Sequence, residues 1–231
     1  MFSTTFKFYC ILFAFIISSM SPACARFHGL YAGAHLGAMI LKGEHKYTNA
    51  SPKEGKVILG DMSYIVGLQG GYMNYLMDSR IVIGAELGIS MPGLNTTKEL
   101  KIEGGTLEGK VNIRHRYKFG LALFSGMVLN PKVMIYVKIG LESNKFDLNY
   151  SRLTFQTPSF EKYSVSVRGL VPGFGVYYKI GPKLFIGGEY NYSLMKKVQP
   201  RSDTVPLNGA ARGYIFSPIQ HRVVARIMRV F

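Results

Sequence analysis

The stretch from Val111 to Ser143 constrains this chain most, because it sorts its residues onto two faces twice in succession around a turn. Val111, Ile113, Tyr117, Phe119, Leu121 and Leu123 fall on one face and Asn112, Arg114, Arg116, Lys118 and Gly120 on the other, the period-2 alternation of a β-strand. His115 alone interrupts the apolar face and reads as an interface or membrane-face exception. Leu129-Asn130-Pro131-Lys132 turns the chain, since Asn favours turns and Pro has no N–H for a ladder. On the return, Ile135, Val137, Ile139 and Leu141 oppose Tyr136, Lys138, Gly140 and Glu142. In water such a hairpin would turn its apolar face inward. In a membrane barrel the order is inverted and the charges are enclosed.

The N-terminus bears on that choice. Lys7, an apolar run from Tyr9 to Ser18 and the small residues Ala23-Cys24-Ala25 before Arg26 have the layout of a secretory signal, so residues 1–25 are expected to be removed and 26–231 to form the fold. The apolar run is shorter than the ~20 residues of a spanning helix. Cys10 and Cys24 are the only cysteines, both inside that segment, which excludes disulfides and thiolate metal sites from the mature chain.

Further alternating segments follow the same rule. Leu30 to Ile40, Tyr64 to Tyr72, Ile81 to Ser90, Ser164 to Ile180, Phe185 to Leu194 and the run to Phe231 read as strands, which with the opening hairpin makes eight. Short turns at Met77–Arg80, Leu129–Lys132 and Gly181–Lys183 alternate with polar stretches at Lys42–Asp61, Pro92–Gly109, Asn144–Glu161 and Lys196–Gly213, which read as long loops. The expected fold is all-β, an eight-stranded antiparallel transmembrane up-and-down β-barrel. The inward faces would then bring Glu86, Glu142 and Glu189 together with Arg114, Arg116, Lys118, Lys138 and Arg226. So narrow a bore fills with side chains, and these charges are expected to pair as a lumenal ion network.

Tyr31-Ala32-Gly33, Gly84 to Glu86, Gly173-Phe174-Gly175-Val176, Glu189-Tyr190-Asn191-Tyr192 and the terminal Phe231 occur in an order that resembles the small outer-membrane β-barrel family, which includes opacity-type surface antigens and the membrane domain of OmpA. The resemblance spans Phe27 to Phe231. It implies a bacterial outer-membrane location among lipid and lipopolysaccharide. It also implies a C-terminal signal for the barrel assembly machinery, carried by Phe231 with Ile227, Ala225 and Val223. Arg229 departs from that pattern, and near a barrel's end an Arg can snorkel to the interface. On this reading the chain is expected to end with the barrel, without a peptidoglycan-binding domain of the kind OmpA carries.

The chemistry of the chain is sparse. GGTLEGK at Gly104 to Lys110 has phosphate-loop spacing but continues with Val111 where Ser or Thr is required, and a strand follows rather than a helix. The five histidines show no ligand spacing, and no Ser, His and acid set argues for a triad. No enzyme activity and no cofactor are expected. The formal charge of +15 becomes +14 once Lys7 leaves with the signal, yet the basic residues form no stripe with interleaved aromatics, so nucleic acid is not an expected partner. Function is expected in the loops, as adhesion or envelope integrity. The third loop offers Phe146, Tyr150, Phe155 and Phe160, and the fourth Lys196, Lys197, Arg201 and Arg212, toward a host surface ligand or lipopolysaccharide phosphates. The alternatives are a narrow porin-like channel for ions or small solutes, and a soluble secreted barrel with an apolar ligand.

Overall fold

The computed structural model of the protein describes residues 27–48, 54–76, 80–101, 107–152, 159–197 and 213–231; the expected signal segment lies outside them. Nine strands follow one another: β1 (Gly29–Thr48), β2 (Glu54–Tyr75), β3 (Ile81–Pro92), β4 (Asn95–Lys101), β5 (Leu107–Asn130), β6 (Val133–Arg152), β7 (Ser159–Lys179), β8 (Leu184–Met195) and β9 (Gly213–Val230). All pairings are antiparallel, in the order β3-β2-β1-β9-β8-β7-β6-β5-β4, and β3 also pairs with β5. The sheet therefore closes on itself. Because β3 and β4 both lie along β5, with Ser90 opposite Lys118 and Asn95 opposite Arg114, they are one stave interrupted at Gly93-Leu94. The barrel thus has eight staves.

The wall follows the alternation. Phe119, Leu121, Leu123, Val137, Ile139 and Leu141 are exposed, at 47–63%, while Met134, Tyr136 and Phe124 are buried. Exposed Tyr72, Tyr178 and Phe231 stand toward the end where β1 begins and β9 finishes, and exposed Tyr64 and Tyr117 toward the other, the aromatic girdles of a membrane-crossing barrel. Short turns lie at the terminal end. There Asn130 Oδ1 accepts a hydrogen bond from the Lys132 backbone N–H at 2.9 Å.

Three of the expected long loops are instead strand. Much of Lys42–Asp61, Pro92–Gly109 and Asn144–Glu161 continues the ladders, pairing Thr48 with Glu54, Lys101 with Leu107 and Arg152 with Ser159. A crossing strand needs about 9–11 residues, and β1, β5 and β6 have 20, 24 and 20. About half of each projects beyond the apolar band. Polar composition suggested loops there because water bathes the outside of these extensions, while main-chain pairing holds them as strand.

One inserted residue revises the reading of β5. Its register with β6 passes from His115 opposite Phe146 to Tyr117 opposite Lys145, leaving Arg116 as the extra residue of a bulge. An odd step reverses which face every later side chain takes. Tyr117, Phe119 and Leu121 face outward as expected, but Val111, Ile113 and His115, of the same parity, are buried within the barrel. Conversely Arg114 and Arg116 are exposed outside, so they do not belong to the interior network.

Candidate functional site

Going up each stave, the interior has three layers. Nearest the termini, Phe27, Met73, Val82, Phe124, Met134, Phe185 and Met228 pack as an apolar layer with Tyr31, Tyr136 and Tyr177. Farthest from them, Met39, Leu41, Ile65, Leu94, Val111, Ile113, Phe146 and Leu148 form a second. Between the two lie Glu86 on β3, Lys138 and Glu142 on β6, Glu189 on β8, and Arg222 and Arg226 on β9, with Lys118 on β5. Apolar packing therefore bounds the ionic layer above and below.

Four of these charges form one closed set. Lys138 Nζ lies 2.6 Å from Glu189 and 3.4 Å from Glu86, and Arg226 donates to both carboxylates, one from each terminal nitrogen. Tyr31 OH donates to Glu86 at 2.9 Å, Tyr136 OH to Glu189 at 2.6 Å and Asn191 Nδ2 to Glu189 at 2.7 Å. The Arg226 guanidinium also lies over the Tyr177 ring, 5.4 Å from its centroid. Buried charges are tolerated when paired and hydrogen-bonded, and each member of this quartet has at least two such partners. Two positive and two negative charges cancel.

The phenols reach the carboxylates because glycine faces them. A Cβ on Gly175 would lie 2.6 Å from the Tyr136 hydroxyl, and one on Gly71 would lie 2.7 Å from that of Tyr31. The third carboxylate, Glu142, has Arg222 Nη2 at 2.8 Å, Lys118 Nζ at 3.5 Å and Asn144 Nδ2 at 3.1 Å. His35 bonds the Ser90 hydroxyl at 3.0 Å and also Gln69, so it too is an interior residue. Of the charges expected inside, the interior brings together Glu86, Glu142, Glu189, Lys118, Lys138 and Arg226. Arg222, Tyr31 and Tyr136 were missed. Arg222 shares the parity of Arg226, and the tyrosines share that of the glycines on their own strands, so the alternation itself carried the signal.

The outer wall beyond the apolar band is basic. Arg114 and Arg116 on β5, Lys162 and Arg168 on β7 are exposed and Lys145 on β6 is half-buried. Register places Arg114 opposite Asp147, Asp147 opposite Ser164, and Ser143 opposite Arg168. Asp147 is the one carboxylate among the described outward side chains of β5, β6 and β7, while Glu99 is exposed on the neighbouring β4; Asp147 accepts from Arg116 Nε and, at 3.0 Å, from the Ser164 hydroxyl. Loss of water works against its charge, and these two hydrogen bonds with the adjacent guanidinium prevail, holding the carboxyl below its ordinary pKa. Lys196 and Lys197 are exposed just past β8.

The third-loop aromatics stand differently from expectation. Phe146 is fully buried in β6, where it keeps the inward parity of Glu142 and Asn144, and is stacked on His115 with centroids 4.2 Å apart, because the bulge in β5 turns that His into the upper apolar layer. Tyr150 and Phe160 lie within β6 and β7, their side chains outside the described residues, as are Phe155, Arg201 and Arg212. At the C-terminus Val223, Ala225, Ile227 and Phe231 face outward, whereas Arg229 is buried with its guanidinium 5.7 Å from the Phe231 ring centroid. Among the described residues no three metal-ligating side chains cluster.

Comparison with known proteins agrees with this architecture. A family model described as the outer membrane protein beta-barrel domain matches residues 10–213. The outer membrane protein OprG of Pseudomonas aeruginosa superposes with a TM-score of 0.52 at 11% identity, covering 88% of this chain and 97% of that one. Neisserial surface protein A gives 0.47 at 13%, again covering 88% and 97%. The outer membrane protease OmpT of Escherichia coli gives 0.43 at 10%, covering 93% and 99%. At such identities the likeness is one of fold alone. No curated protein matches the chain.

Proposed function

The chain belongs to the outer-membrane protein β-barrel domain family, and from that premise, which locates it in a bacterial outer membrane, we propose that it is a non-enzymatic surface protein whose basic outer wall binds the phosphates of lipopolysaccharide. The observation that carries this reading is the group Arg114, Arg116, Lys145, Lys162 and Arg168, gathered by register on three adjacent strands around the carboxylate of Asp147. The group begins where the outward apolar residues end, the level of lipid headgroups. Guanidinium forks match phosphate oxygens in pairs. Lys196 and Lys197 extend the positive surface, and an anionic host surface ligand would meet the same wall, so adhesion and envelope integrity draw on one chemistry. The outward Phe231, Ile227, Ala225 and Val223 remain the proposed mark for the barrel assembly machinery.

Replacing Arg114, Arg116 and Arg168 together by Gln is expected to weaken retention on lipopolysaccharide micelles about tenfold or more, and to flatten its salt dependence. Equal retention by the variant and the parent protein would reject the reading. A narrow channel is the second reading, supported by the charged interior. Against it stand the two apolar layers and a central cavity of only about 70 Å³, and the expected ion flux through protein-bearing liposomes is nil.

A further inference from the structure

We infer that the barrel interior holds one small inorganic anion of the chloride class beside Lys118 and Arg222. The cavity between the apolar layers, about 70 Å³, is lined by three carboxylates, Glu86, Glu142 and Glu189, and four cations, Lys118, Lys138, Arg222 and Arg226. The quartet described above is neutral. Glu142 is then left to balance both Lys118, at 3.5 Å, and Arg222, at 2.8 Å, which leaves one positive charge uncompensated in a site bounded by two apolar layers. Such a charge is costly unless paired.

A second observation points to the same place. The Arg222 side chain is 2% exposed, and its Nε and Nη1 have no hydrogen-bond partner among the described residues. Buried donors of a charged group are rarely left unmet. Water would satisfy the N–H groups but not the charge; a monovalent anion satisfies both. A water needs roughly 10–15 Å³ of such space, so the cavity accommodates an anion with a few waters. Organic anions as large as gluconate do not fit it, and the neighbouring carboxylates, already engaged by Lys138 and Arg226, restrict the position to the Lys118 and Arg222 side.

The test refolds the full barrel in sodium bromide and in sodium gluconate at equal ionic strength. Anomalous diffraction from the bromide form is expected to give a peak within contact distance of Arg222 and Lys118. Unfolding midpoints, read from the mobility change on gels, are expected to be about 2–4 °C higher in bromide than in gluconate. Lys118→Met leaves Glu142 and Arg222 as a balanced pair, so its midpoint is expected to be the same in both salts. Should that variant fail to fold, the wild-type peak and midpoints still decide. Density for water alone at that position, or equal wild-type midpoints in the two salts, overturns the inference.

Discussion

Arg226→Met removes the centre of the interior quartet. Arg226 contributes hydrogen bonds to Glu86, Glu189 and, at 3.2 Å, Tyr136, and its charge is 2% exposed. Without it the two carboxylates of the quartet face one ammonium, and a local excess of negative charge is left within the quartet, between the two apolar layers. Breaking a buried ion pair from one side costs about 3–5 kcal/mol, two to four powers of ten in the folding equilibrium. Adding Glu86→Gln leaves Glu189 and Lys138, 2.6 Å apart, as a balanced pair, so the double variant is expected to regain most of that loss, within about 1 kcal/mol of the parent protein. The assay is urea unfolding in phosphatidylcholine vesicles, followed by gel mobility without boiling because the chain has no Trp to report by fluorescence. A single-variant loss under about 1 kcal/mol, or no recovery in the double variant, would refute the idea that charge balance governs this layer.

Phe146→Ala empties part of the upper apolar layer and is expected to cost about 3–5 kcal/mol in the same unfolding assay, where a surface aromatic would cost little. Deleting Arg116 removes the bulge and would turn Val111, Ile113 and His115 outward; the hairpin of β5 and β6 beyond the membrane should become protease-sensitive while the membrane-spanning part still resists detergent. Because the Asp147 carboxyl titrates below its ordinary value, its contact with Arg116 contributes stability that is complete above about pH 4 and disappears as pH falls through the depressed pKa. Acid titration of the outer hairpin followed by hydrogen exchange is expected to show that loss in the parent protein and none in Asp147→Asn.

The alternation of Phe119, Leu121 and Leu123 against Lys118 and Gly120 sufficed to specify a barrel with lipid outside and charge within. Period 2 is a local property, written in every strand and readable without any partner. Glu86, Glu142, Glu189, Lys138 and Arg226 could be assigned to the interior on that ground alone. What no local pattern carries is register. Only pairing with β6 reveals that Arg116 is one residue too many, and that single step puts Arg114 and Arg116 outside while drawing His115, Val111 and Ile113 inside. Polarity likewise cannot tell a loop from a strand whose outer face stands in water, so the extensions beyond the membrane emerged only from their ladders. Which cations meet which carboxylates, and that Arg222 and Lys118 outnumber Glu142, depended on closing the cylinder: Glu86 and Arg226 lie 140 residues apart, and only the ring of eight staves brings them into contact.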